Sequence, residues 1–159
     1  MAIVAGLAVM TLTSCSSSHE VSADDPIFVG IDHRVAEEVL ASTAVKERTQ
    51  GDDEATTKMQ LQGIALNFVL CRQAYAAYRE WVTTGTQPSL PRPVRVQQPI
   101  RAAYSQYRRD RQMFGEELAS GDIDVLRSHL LNDTGCGVWI PAKPGDQSGP
   151  TIADAVRGS

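Results

Sequence analysis

Between Glu54 and Thr84 the apolar residues Leu61, Ile64, Phe68, Cys71, Tyr75, Tyr78 and Val82 recur alternately three and four positions apart. That period lines one face of a helix and predicts a single long one over 54–84. Ala65, Ala74 and Trp81 widen the stripe, while Lys58, Gln62, Arg72, Arg79 and Glu80 mark its flanks or outer face. An aromatic stripe of this kind is read as core, because large rings bury much area at little entropic cost. Gly51-Asp52-Asp53-Glu54 supplies the break and an acidic start that complements the helix dipole, and Gly85 supplies the stop.

After Gly85 the pattern lapses. Prolines at 88, 91, 93 and 99 allow neither a helix nor a central strand, so the segment reads as an extended connector, with Pro88-Ser89-Leu90-Pro91 a spacer. Helical spacing resumes with Ile100, Tyr104, Tyr107, Phe114 and Leu118 on one face, Arg111 intruding and Pro99 in the first turn. The two long helices are expected to pack antiparallel. Gly121 ends the second, and Asp122 caps a third helix with Ile123, Leu126 and Leu130 as its buried edge. Upstream, Ile27 to Ile31 is a brief β-prone run, and Asp32 caps a short helix carrying Val35, Val39 and Leu40. At the other end Lys143 to Pro150 forms turns, and Thr151 with Asp154 makes a capping box.

The N-terminus has a different character. Ala2 to Met10 is apolar and is followed by Leu12-Thr13-Ser14-Cys15, the layout of a secretory core with a small-residue processing site. The stretch is shorter than the roughly 20 residues of a membrane-spanning helix. Leu12 to Cys15 resembles the lipobox of bacterial lipoproteins, which implies diacylglycerol on the Cys15 thiol and cleavage before it. No Lys or Arg precedes His19, so a short basic leader is expected upstream of Met1. The expected organisation is a signal peptide over 1–14, a flexible lipidated tether over 15–26, and one helical domain over 27–159.

Once the lipobox takes Cys15, Cys71 and Cys136 remain as a pair outside any CxxC or Cys/His spacing that would suggest zinc. In an oxidising, extracytoplasmic compartment a disulfide is the economical outcome. Gly135 and Gly137 flank Cys136, so the backbone there is able to press against the first long helix at Cys71. The fold class that follows is mainly α: a small bundle built on a long antiparallel helical hairpin with a proline-rich connector, stapled by Cys71–Cys136. The length of 159 residues suits one core.

Composition changes the picture in one respect. The net charge of −4 argues against a general nucleic-acid binder, yet it hides a division. Glu20 to Glu54 holds ten acidic residues against Arg34, Lys46 and Arg48, whereas Arg92 to Arg111 holds six arginines against Asp110. Such asymmetry marks solvated faces, a basic surface for anionic headgroups or wall polymers, or two segments that complement each other.

Catalytic signatures are absent from the sequence: it has no GxSxG, HExxH, P-loop or GxGxxG. His19 falls in the tether, His33 at a helix entry and His129 on the polar side of the third helix, none at metal-ligand spacing. Glu116-Glu117 with Asp122 and Asp124 are the carboxylates from which a wall hydrolase would have to be built. Overall the plan resembles small lipoproteins of actinobacteria and of the phages that infect them; Gly135 to Pro141 shares in that resemblance more faintly than Leu12 to Cys15. The resemblance implies an envelope address and assigns no functional residue. The expected function is non-enzymatic: a module exported to the extracytoplasmic face, held to the membrane by its lipid, without metal or cofactor, presenting a surface to an envelope protein or wall polymer. The alternatives are a phage-encoded superinfection-exclusion lipoprotein and a cryptic cell-wall hydrolase.

Overall fold

The computed structural model describes residues 21–132, 136 and 140–159. They form a mainly helical bundle in which six helices pack together: α1 (His33–Ala41), α2 (Thr43–Thr49), α3 (Glu54–Thr84), α4 (Arg101–Ser120), α5 (Ile123–Leu131) and α6 (Ile152–Arg157). Local chemistry sets most of the boundaries. Asp32, Asp53 and Asp122 each accept a backbone N–H in the first turn of α1, α3 and α5, and Thr151 with Asp154 completes the capping box of α6. Gly85 and Gly121 close α3 and α4 in the left-handed conformation.

The helix α3 is the axis of the bundle and touches every other helix. Leu61, Ile64, Phe68, Cys71 and Tyr78 of the predicted stripe are buried, but so are Leu66 and Leu70 on other faces. Val82, at the end of the stripe, is 50% exposed. Gln62 departs furthest from its expected place on the flank: it is fully buried. Its Nε2 donates to the carbonyls of Ile27 (2.7 Å) and Gln98 (3.0 Å), and its Oε1 accepts from the N–H of Ile100 (2.7 Å). A buried amide is tolerable when its donors and acceptor are all engaged, and these are.

The expected antiparallel packing of the long helices is not what forms. Along α3 and α4 the contacts ascend together: Gln62 meets Ile100, Gly63 faces the Ala103 methyl, and Arg111 Nη1 donates to Gln73 Oε1 at 3.3 Å. The two helices are therefore parallel. The reason lies in the connector. Fifteen extended residues reach about 46 Å at the polyproline rise, more than the roughly 33 Å from Thr84 back to Gln62 along α3, so the chain returns to the start before α4 begins. On its way it runs antiparallel to α4: Gln87 Nε2 donates to the Leu118 carbonyl, Arg111 to that of Pro91, and Tyr104 Oη to that of Val94 (3.0 Å), while Tyr107 Oη accepts from the Val94 N–H (2.9 Å). Pro99 lies just outside α4, ahead of the capping residue Ile100, and not in its first turn.

The connector ends against the N-terminal segment. Gln97 N–H donates to the Val29 carbonyl (3.0 Å), and Gly30 passes so close to Arg95 that any Cβ would collide with the Arg95 carbonyl oxygen. Gly30 also has φ +102°, which side-chain-bearing residues rarely adopt. The β-prone run 27–31 is no strand. Asp25 and Pro26 start a 3₁₀ turn over Pro26–Phe28 that buries Ile27 and Phe28. Order begins before residue 27, since Val21 and Ala23 pack on the core and Asp25 pairs with Lys58 at 3.2 Å. The remainder of the expected tether, 15–20, lies outside the described residues.

At the other end of the chain Ile152 N–H donates to the Ile140 carbonyl (2.8 Å) and Ala142 N–H to that of Pro150 (3.0 Å), closing a loop that delivers α6 to the core. Cys136 is disulfide-bonded to Cys71 with Cα atoms 5.1 Å apart, inside the range that a bridge requires. Gly135, Gly137, Val138 and Trp139 lie outside the described residues.

Candidate functional site

A groove of about 460 Å³ runs along the seam between α3 and α4. Small residues open it: Gly63 and Ala103 face each other with 3.7 Å between the Ala103 methyl and the place where a Gly63 Cβ would stand. Ile64, Leu70 and Phe114 supply apolar lining, and Gln60, Asn67, Gln106 and Asp110 supply polar groups along it. Arg48, from the last turn of α2, contributes to the lining and has no hydrogen-bond or ion-pair partner among the described residues. Gln60 donates its Nε2 to Asp52 Oδ2 at 2.5 Å. A carboxylate only accepts, so this bond decides which way the amide is turned. The amide oxygen, Oε1, is then buried without a partner.

His129 also lines the groove. The sequence reading puts this histidine on the polar side of its helix; instead it is 30% exposed at its side chain, meets the Phe114 ring edge-on at 5.5 Å between centroids, and brings Nδ1 within 2.5 Å of Glu117 Oε1. Burial raises the Glu117 carboxyl above its ordinary value, against the opposing charge and hydrogen bond of His129. Its second oxygen, Oε2, is buried without a partner. The tight turn at Gly121-Asp122 folds α5 back on α4 and makes these two residues neighbours. That turn is legible in the sequence; the angle at which the helices cross is not.

Of the other carboxylates considered for hydrolysis, Glu116 and Asp122 do not converge with this pair, whereas Asp124 comes near it. Glu116 is exposed and accepts from Gln112 at 2.8 Å, and Asp122 is engaged in capping α5. Asp124 shares a shallow hollow with Glu117 and His129. Among the described residues no group of three or more His, Cys, Asp or Glu side chains is placed to hold a metal ion. His33 pairs with Asp24 at 3.2 Å on the surface. Cys15 and His19 lie outside the described residues, and no described helix is long and apolar enough to cross a membrane.

A second surface is electrostatic. Arg92 and Arg95 on the connector, with Arg101 and Arg108 on α4, are exposed and have neither hydrogen-bond nor ion-pair partner among the described residues. Arg109 donates only to Gln106, while Arg111 is drawn inward to Gln73 and Pro91. Leu90, Pro93 and Tyr104 form a shallow hollow with Arg108 and Arg109. No described ion pair joins these arginines to the acidic segment 21–54, whose carboxylates meet Lys58, Arg72 and the His33 ring instead. The two charged segments therefore do not neutralise each other within the fold.

Comparison of the chain with protein families, with curated proteins and with solved structures finds no match.

Proposed function

We propose that this protein is a lipid-anchored cell-envelope module that acts by binding rather than by catalysis, and that its arginine face meets a phosphate-bearing polyanion of the envelope. The observation that carries the reading is the row of exposed arginines, Arg92, Arg95, Arg101 and Arg108, without partners among the described residues. A guanidinium is permanently charged, weakly hydrated and matched in geometry to phosphate oxygens. Several of them on one surface raise the local concentration of a polyanion and speed its capture. The Leu12 to Cys15 lipobox supplies the address, and acyl chains on Cys15 would hold the module at the membrane, each buried CH₂ adding about 0.8 kcal/mol.

The two halves are tested separately. Cys15→Ala should abolish metabolic palmitate labelling and release the protein from the membrane fraction; unchanged labelling and fractionation would refute the anchor. For the binding face, the full chain should co-sediment with poly(glycerol phosphate) or with phosphatidylglycerol vesicles, and less so as salt is raised beyond ~0.15 M. Replacing Arg92, Arg95, Arg101 and Arg108 together by Gln should abolish co-sedimentation while leaving the circular dichroism unchanged. Retention by the polymer alone identifies a wall partner, and retention by vesicles alone identifies headgroups. Equal retention of the quadruple variant would overturn the arginine face.

A further inference from the structure

Three parts of the chain meet near the end of the bundle where α3 and α4 begin. Gln62 of α3 holds the N-terminal turn through the Ile27 carbonyl and the start of α4 through the Ile100 N–H, so residues 27–30, the end of the connector and Arg101 lie at about one level. Gln97 N–H reaches the Val29 carbonyl at 3.0 Å, and Gly30 lies against the Arg95 carbonyl. We infer that this end docks on an anionic bilayer, with Arg92, Arg95 and Arg101 on lipid phosphates and Val29 at the boundary of the acyl region. The inference rests on the arginine face proposed above and commits it to lipid headgroups rather than to a wall polymer.

Two observations favour the bilayer. The first is Val29, an apolar side chain 39% exposed beside the hollow that Gly30, Arg92, Pro93, Val94 and Arg95 line. A bilayer surface presents phosphate directly above hydrocarbon, and chains that lie on it combine cationic with apolar side chains for that reason. A glycerol phosphate polymer in water has no such layer and offers Val29 nothing to bury against. The carboxylates nearby are already engaged: Asp24 meets the His33 ring, Asp25 meets Lys58, and Asp32 and Asp53 cap α1 and α3.

The second observation is reach. The described chain begins at Val21, which packs on the core, and Asp25 then fastens it to Lys58 near the start of α3. The six steps from Cys15 to Val21 span at most about 20 Å. An acylated Cys15 therefore keeps the arginine end within about that distance of the headgroups. Val82, in the last turn of α3, stands about 30 Å beyond Gln62 along the helix.

The two exposed valines supply the test. Val29→Cys and Val82→Cys, each in the full chain purified in detergent, are labelled with a thiol-reactive fluorophore and reconstituted in vesicles that carry a nitroxide-headgroup lipid. The unaltered protein should take no label, its three cysteines being acylated or bridged; if it does, Cys15→Ser is added to every variant. In vesicles containing phosphatidylglycerol the label at 29 should lose most of its fluorescence to the nitroxide, and the label at 82 should keep most of its own. In pure phosphatidylcholine, or with Arg92, Arg95 and Arg101 replaced together by Gln, quenching at 29 should fall severalfold, because the charge attraction is gone. The inference is overturned if 29 and 82 are quenched alike in phosphatidylglycerol vesicles, or if quenching at 29 is the same in phosphatidylcholine. Salt-dependent co-sedimentation beside either result strikes only the docked orientation and leaves the arginine face standing; loss of co-sedimentation with both polymer and vesicles strikes the face itself. Circular dichroism checks that each variant is folded; should Val29→Cys fail that check, the label moves to Pro93, exposed in the same hollow.

Discussion

Glu38 and Arg72 meet at 2.5 Å between Oε1 and Nη2 inside the protein, with side chains only 2% and 11% exposed. The pair joins three parts of the chain, because Arg72 Nε also donates to the Pro141 carbonyl (3.2 Å) while Glu38 Oε2 accepts from Gly145 N–H (3.3 Å). The Arg72 guanidinium lies over the Phe68 ring at 5.3 Å, a further favourable contact for a desolvated cation. Glu38→Ala would leave that cation buried without its counter-charge. A loss of about 3–5 kcal/mol is expected from urea unfolding. Changing Glu38→Leu and Arg72→Met together should recover much of the loss, since an apolar pair of similar volume removes the desolvation penalty as well as the attraction.

Gln62 offers a sharper test of how the long helices find their direction. Its amide binds the N-terminal turn at Ile27, the connector at Gln98 and the cap of α4 at Ile100. Gln62→Leu keeps the volume but strands two carbonyls and one N–H. A destabilisation of about 3 kcal/mol or more is expected, with hydrogen exchange accelerating first at Ile100 and the start of α4. Unchanged protection there would show that α4 is placed by packing alone.

The Cys71–Cys136 bridge closes a loop of 65 positions. The chain-entropy account assigns such a loop about 4 kcal/mol. Intact-mass measurement should find two hydrogens fewer than in the reduced chain. Reductant, or the paired change of Cys71→Ala with Cys136→Ala, should lower the melting temperature by many degrees. Free thiols titrating at both positions in protein purified without reductant would contradict the bridge.

Glu117 makes stability depend on pH in a definite direction. Its carboxyl titrates above its ordinary 4.5 in the folded protein, chiefly through burial and despite His129. The folded state thus holds the proton more tightly than the unfolded chain. The contribution is fully present below the ordinary carboxylate value and is lost as pH rises through the raised one. Asp53 and Asp154 are shifted downward by their capping hydrogen bonds and act in the opposite sense, but equally in both proteins compared. Urea midpoints of the unaltered protein and of Glu117→Gln, measured from pH 4 to 7, should therefore diverge, the variant gaining relative stability toward neutral pH. A constant difference across that range would show that Glu117 does not titrate there.

What the sequence determined by itself is local. Periodicity and caps placed α3 at Glu54–Thr84 as the structure has it, and the aspartates at 32, 53 and 122 and the Thr151–Asp154 box mark helix starts wherever the chain goes next, because each cap satisfies donors only a few residues away. The cysteine pair was legible through its count and setting. The rest required tertiary structure. Four prolines announce an extended connector but not where it leads, and its return along the bundle makes α3 and α4 parallel where a short turn would have made them antiparallel. Gln62 and Arg72 look like surface residues on a helical wheel, yet partners 34 to 38 positions away make their burial tolerable. The Glu117–His129 pair and the groove beside it arise in the same way, from helices whose crossing is decided by the packing of side chains far apart in the chain.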